Sequence, residues 1–181
     1  MTSDSVGADQ CIITHESDKY IVRTHRPGDV GYVVYRHAAV YTEDFGINTR
    51  FESLTARIGA DFLDNFDASK ERLWIAEKDG KFLGCIMVVN STKFEDTAQV
   101  RLLLVEKEAR GLGLGKLLAK AAVDFAKDSG YKAVVLWTQR GLVSARDIYQ
   151  KLGFEMTDSQ PHDMFGLEWV GENWRLEFHE K

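Results

Sequence analysis

The chain has 181 residues, 44% of them hydrophobic and 28% charged, with a formal net charge of −5. That length supports one domain with a sizeable core, and no apolar run approaches the roughly 20 residues that span a membrane. The negative balance disfavours general nucleic-acid binding and suits a cationic substrate. The polar start, MTSDSVGADQ, lacks the basic and apolar regions of a signal peptide. Cys11 and Cys85 have neither disulfide nor zinc spacing, and His25, His37 and His162 are scattered, so no metal site is expected. A reducing, cytoplasmic setting is the expectation. Residues 1–18 read as a flexible tail and residues 19–181 as a single domain.

Tyr20 to Thr24 alternates as a short strand, and Asp29 is placed to cap a helix after the break at Pro27-Gly28. Val30, Val33, Val34, Ala38, Tyr41 and Phe45 recur at helical spacing, and Gly46 stops them. Asn48 caps a second helix with a stripe of Phe51, Leu54, Ile58, Phe62 and Phe66. Strands over Leu73–Glu77 and Phe82–Val89 flank Lys78-Asp79-Gly80-Lys81, a hairpin signal. Ala98–Val105 is a further strand. Leu114, Leu117, Leu118, Ala121, Ala122 and Phe125 give the next helix an apolar face that ends near Gly130. Ala133–Trp137 suits a strand covered on both sides. A short helix over Val143–Leu152 and closing strands over Phe154–Thr157 and Asn173–Phe178 complete the chain. Helices interleaved with hairpins indicate an α/β domain on a mixed sheet. An exposed closing strand offers an edge through which two copies can pair as a homodimer.

The densest local signal is Val105 to Leu118, VEKEARGLGLGKLL. Glycines let backbone N–H groups approach a ligand, and a helix N-terminus adds unpaired donors, so the turn suits a phosphate. A Walker loop fails here, because Arg110 occupies its first glycine position and Leu117 its Ser/Thr position. A dinucleotide fingerprint fails too, because its third glycine falls on Lys116 or Leu118. What remains is R-x-x-G-x-G, Arg110 to Gly115. This resembles the acetyl-CoA loop of the GNAT (Gcn5-related) N-acetyltransferases. Ala145, Tyr149, Gly153 and Phe154 match a second pattern of that family, A-x-x-x-Y-x-x-x-G-F. The frequent asparagine three residues before the alanine is Leu142 here.

Segments His25–Asp29, Trp74–Gly80, Arg101–Gly115, Leu136–Thr138 and Phe165–Phe178 further resemble the acetyltransferase domains fused behind MarR-type regulators. The winged helix of those regulators is not expected here, so no transcriptional function is carried over. The resemblance covers about Tyr20 to Phe178. It implies a mixed, mostly antiparallel central sheet flanked by helices, with a splayed pair of parallel strands.

It also implies acetyl-CoA as cosubstrate and an amine, on a small molecule or a peptide, as acceptor, with no nucleic-acid or membrane partner. The pantetheine arm would pair with Leu103, Leu104 and Val105. The pyrophosphate would meet the N–H groups of Arg110, Gly111, Leu112, Gly113, Leu114 and Gly115, with Lys116 adding charge and Ala145 close by. Tyr149 would protonate the leaving thiolate. No base is legible: Glu95, Asp96 and Glu106 flank strand Ala98–Val105 and read as solvated acids, and water is an alternative. The acceptor wall is expected from Tyr32, Tyr35, Tyr41, Phe45, Phe165 and Trp169, with His162 near the acceptor. Cys85 reads as a small core residue. A competing reading is a non-catalytic acyl-CoA sensor that uses the fold for binding alone.

Overall fold

The computed structural model describes residues 20–179 together with Ile13–Thr14. The expected tail lies, apart from Ile13–Thr14, outside the described residues, as does Cys11. The elements are β1 (Ile13–Thr14), β2 (Ile21–Thr24), α1 (Asp29–Phe45), α2 (Thr49–Asp64), β3 (Arg72–Lys78), β4 (Lys81–Asn90) and β5 (Thr97–Val105). A 3-10 turn (Lys107–Ala109) leads to α3 (Leu114–Asp128), β6 (Ala133–Gln139), α4 (Val143–Lys151), β7 (Glu155–His162) and β8 (Trp169–Glu177). The described strands form one sheet in the order β1-β2-β3-β4-β5-β6-β8-β7. Every neighbouring pair is antiparallel except β5 and β6. The mixed, mostly antiparallel sheet expected from the resemblance is therefore present. Among the described residues no helix is long and apolar enough to cross a membrane.

Local chemistry explains the joints. Asp79 and Gly80 take φ 50 and 74, the doubly left-handed turn that suits a two-residue hairpin between β3 and β4. The Asn48 carboxamide caps α2 by accepting the Arg50 N–H at 3.0 Å. The backbone N–H of Asn48 donates to Phe165 O, which ties α2 to the β7–β8 connection. At α1 the cap is Gly28, not Asp29. The Asp29 carboxylate instead accepts the Arg26 N–H at 2.6 Å and holds the buried Arg23 guanidinium with bonds of 2.6 and 3.1 Å. Phe66 lies past the end of α2, edge-on to Phe62 and His25.

Two cores sandwich the sheet. Leu114, Leu118, Ala119, Ala122 and Ala126 of α3 pack one face, over Val88, Ala98, Val100 and Val134. Val30, Val33 and Val40 of α1 and Phe62 of α2 pack the other, over Leu73, Ile75, Cys85 and Met87. Cys85 is a core residue, as read from the sequence. The last hairpin is longer than the apolar pattern indicated. The closing strands, expected to stop at Thr157 and to resume at Asn173, instead pair from Glu155↔Arg175 to His162↔Trp169. β7 was undercounted because it is an edge strand whose sequence, EMTDSQPH, is polar and mostly exposed. An edge strand with little buried surface carries no alternating apolar signal.

The parallel pair sets up the site. β5 and β6 are paired only from Thr97↔Ala133 to Val100↔Leu136. β5 then runs on to Val105 and β6 to Gln139, while β6 stays paired to β8 throughout. β5 carries a bulge at the same point. Its register with β4 goes from Arg101↔Met87 to Leu104↔Cys85, so Leu102 and Leu103 oppose Ile86 alone, and Leu102 takes φ 49. A bulge bends its strand and leaves a residue out of the ladder. Holding a leucine at that φ costs about 1–2 kcal/mol. The bent end of β5 presses on β4 at Gly84, where a methyl group would lie 2.6 Å from Leu104 O.

Gly84→Ala should therefore destabilise the fold by about 1–3 kcal/mol. Gly31 lies in α1 with ordinary φ and no atom within 4 Å of an added methyl. Gly31→Ala should stabilise by about 0.5–1 kcal/mol. Urea unfolding of the two variants checks both signs.

Candidate active site

Where β5 and β6 part, a cleft of about 830 Å³ opens. Its floor is Val100–Val105 and Leu136–Gln139. One wall is α1 and α2, and the other is the 109–116 turn with the start of α4. The turn is shaped by Gly111 and Gly113, with φ 84 and 76. A methyl group on either would meet no protein atom within 4 Å. The space over these two glycines is therefore open to a ligand. Helix α3 starts at Leu114, and its first capping bond comes from Leu117 N–H to Gly113 O at 3.1 Å. The earlier N–H groups of Leu114, Gly115 and Lys116 have no intrahelical acceptor, so they are free to meet an anion. Leu112 is exposed and Leu114 is buried in the core. Lys116 is exposed at the rim of the cleft.

Two residues of this motif do more than the sequence indicated. A methyl group on Gly115 would lie 3.2 Å from Ile148 Cδ1 and 3.5 Å from Val105 Cγ2. Its missing side chain thus lets α3 sit close to α4 and β5. The Arg110 side chain is directed to α1: Nη2 lies 2.9 Å from Asp44 Oδ2, and Nε donates to Val105 O at 3.3 Å. Lys107 Nζ joins it, at 2.9 Å from Asp44 Oδ1 and from Glu43 Oε1. These contacts lower the Asp44 pKa, chiefly through the Lys107 bond. The loop is fastened to α1 by this cluster.

Leu103, Leu104, Val105 and Ala145 all line the cleft, as does Tyr149. Tyr149 is 5% exposed and sits edge-on to Phe154 at 5.7 Å. Burial raises its pKa, so the phenol stays protonated and can donate. Across the cleft, Tyr41, Phe45, Trp169, Phe165 and Phe51 form a closed ring of neighbours with centroid separations from 4.7 to 6.4 Å. Four of them line the cleft. Phe165 is buried behind, against Trp137 as well. His162 lies outside the lining, with Nε2 3.0 Å from Gln139 Oε1, and so braces a cleft residue. Tyr32 and Tyr35 are not brought to the cleft. They are 47% and 59% exposed on another face of α1, where Tyr32 meets Phe82.

The acids near β5 divide. Glu95 is exposed, and Asp96 pairs with Lys132 on the surface. Glu106 corrects the reading of it as a solvated acid. It is 4% exposed and forms a two-bond pair with Arg36, at 2.6 and 2.8 Å. No local signal reveals this, because Arg36 is 70 positions away. His37 was also hidden, since it falls on the apolar face of α1. Its Nδ1 lies 2.9 Å from Val33 O, and only a protonated Nδ1 can make that bond. Nε2 is then an acceptor, buried and without a partner among the described residues, in a residue that lines the cleft. Burial lowers the His37 pKa to about 4, so the ring is neutral at pH 7.

A family model described as the acetyltransferase (GNAT) family matches residues 30–154. The chain belongs to that family. N-acetyltransferase 8B of Homo sapiens is 39% identical over 87 residues, covering 46% of this chain and 38% of that protein. N-acetylaspartate synthetase of Homo sapiens is 32% identical over 89 residues, covering 49% and 29%. The GNAT chain thus spans well under half the length of these curated relatives. An acetyltransferase of GNAT family from Streptococcus pneumoniae shares the fold with a TM-score of 0.67 at 18% identity, over 88% of this chain and 99% of that one. A Bacillus anthracis structure in complex with acetyl coenzyme A matches with a TM-score of 0.55 at 24% identity, over 65% and 69%. The open glycines, the bared N–H groups of α3 and the unpaired edge of β5 fit the pyrophosphate and extended arm of such a ligand.

Gly113→Val should cost about 1–2 kcal/mol of stability from its positive φ. It should weaken acetyl-CoA binding at least tenfold, because the branch fills the open space over the turn. Calorimetry on the folded variant measures this. His37 supplies a pH dependence. Its folded pKa lies below the ordinary value near 6.5, so the unfolded chain binds more protons between that pH and about 4. Stability is held above pH 6.5 and should fall by up to about 3 kcal/mol as pH drops toward 4. His37→Gln should flatten that slope in denaturant titrations.

Proposed function

We propose that this protein transfers the acetyl group of acetyl-CoA to a primary amine by direct attack. The observation that carries the reading is one cleft holding three parts: the open glycine turn, the bared edge of β5 and the protonated Tyr149 phenol. The amine nitrogen attacks the thioester carbonyl carbon. The carbon–sulfur bond then breaks, the thiolate takes a proton from Tyr149, and the proton shed by the attacking nitrogen restores the phenol through solvent. Backbone N–H groups freed at the β5 bulge are suited to stabilise the oxyanion. A non-catalytic acyl-CoA sensor needs neither a buried, protonated donor nor an aromatic chamber beside it, so the enzyme reading is preferred.

Magnitudes argue about the base. A lysine-like amine has a pKa near 10.4, and presenting it neutral at pH 7 costs about 4–5 kcal/mol. His37, with its pKa near 4, holds a proton too weakly to take over that task. Its Nε2 is suited to accept a hydrogen bond from the amine or from a water. The proton itself leaves to solvent through the open cleft.

Residues 19–181 are proposed to form one domain in a cytoplasmic setting. The segments shared with MarR-fused acetyltransferase domains support placing the chain near that branch. Three of those segments, Arg101–Gly115, Leu136–Thr138 and Phe165–Phe178, contribute residues to the cleft.

Tyr149→Phe keeps the ring against Phe154 and removes only the donor. Its kcat should fall about 100-fold or more, with acetyl-CoA affinity nearly unchanged. Steady-state and single-turnover assays of CoA release decide it: a change confined to KM would assign Tyr149 to binding instead.

A further inference from the structure

Arg101 is a charged side chain of the cleft that the mechanism leaves unused. It lines the cavity and is half-buried. No hydrogen bond or ion pair reaches its guanidinium from the described residues, and burial alone acts on it, lowering its pKa. The other buried or half-buried arginines are all engaged. Arg23 meets Asp29 and Glu77, Arg36 meets Glu106, Arg146 meets Glu172 and Arg175 meets Glu177. Arg72 donates to Ala68 O and lies over the Phe125 ring. The two carboxylates that line the cleft are taken elsewhere, Asp44 by Lys107 and Arg110, and Asp147 by Lys151.

Strand alternation says which half of the cleft Arg101 serves. Ala98 and Val100 pack under α3, so Arg101 faces the α1–α2 side. Its cross-strand partner Met87 lies in the core on that side. Trp137 is its neighbour across the parallel register, one step beyond Val100↔Leu136. Arg101 is therefore on the side of the aromatic ring, away from the glycine turn and α3. A guanidinium partly stripped of water, with its fork unfilled, binds a carboxylate through two parallel bonds.

We propose that Arg101 receives a carboxylate of the acceptor. The acceptor class is then an amine that also carries a carboxylate, an amino acid or a close relative, with its apolar part against Tyr41, Phe45, Phe51 and Trp169. This rests on the acetyl-transfer reading above.

The test measures CoA release with matched amines: phenylalanine against phenethylamine and phenylalaninamide, and leucine against isoamylamine. The carboxylate-bearing member should be favoured roughly 10- to 100-fold in kcat/KM. Arg101→Met should abolish that preference with acetyl-CoA affinity unchanged by calorimetry, and Arg101→Lys should keep only part of it. A wild-type enzyme indifferent to the carboxylate overturns the proposal. So does acetyl-CoA binding without turnover of any carboxylate-bearing amine. An Arg101→Met variant that loses acetyl-CoA affinity but keeps the preference assigns the arginine to the cosubstrate and overturns it too. If Arg101→Met fails to fold, the wild-type comparison and Arg101→Lys decide alone. Absence of acetyl-CoA binding in the wild type is a separate result, which removes the underlying reading and this inference with it.

Discussion

The parting of β5 from β6 after four paired residues is the constraint on which the rest depends. Strand edges inside a sheet are normally satisfied by a neighbour, and an unpaired edge must be met by something else. Here β6 keeps its bonds to β8, and the bulge at Leu102–Leu103 swings β5 away. The bared edge, the cavity and the approach to Tyr149 all follow from that one divergence. Gly84 makes the divergence possible on the opposite side, because any side chain there would push β5 back.

The two walls of the cleft are built by different means. The glycine-turn side, proposed to hold the pyrophosphate, is backbone: two glycines at positive φ, then a helix start with unpaired donors. It needs closeness, and side chains would obstruct it. The opposite side, proposed to receive the acceptor, is side chain: rings from α1, α2 and the last hairpin, with the Arg101 guanidinium lining the same cleft. Asp44 links the walls, because it sits on α1 beside Phe45 and grips Lys107 and Arg110 of the turn. Asp44, with Glu43 beside it on Lys107, thus ties the glycine turn to the helix that carries the aromatic wall.

Much of this was legible in the sequence where the signal is local. The glycine turn, the helix stripe from Leu114 and the Asp79-Gly80 hairpin are each fixed by residues within a few positions. The polar edge strand β7 was shortened, because a strand with one neighbour and little burial leaves no apolar alternation. Side-chain partners across long separations were not legible. The Glu106–Arg36 pair, the isolation of Arg101 and the orphaned Nε2 of His37 all depend on which elements the sheet brings together. Tyr32 and Tyr35 show the same limit from the other side. Their residue type suited the acceptor wall, but the helical turn of α1 carries His37, Tyr41 and Phe45 inward and leaves those two tyrosines outside.

The closed ring of Tyr41, Phe45, Trp169, Phe165 and Phe51 has an evolutionary consequence. Each ring rests on two others, so trimming one releases its neighbours. Energies of contacting residues do not add. Acceptor preference in this chain would therefore not drift by independent single steps along the wall. It would change in coordinated sets of replacements drawn from α1, α2 and the last hairpin together, and intermediates carrying one replacement would be the poorest binders of both old and new acceptors.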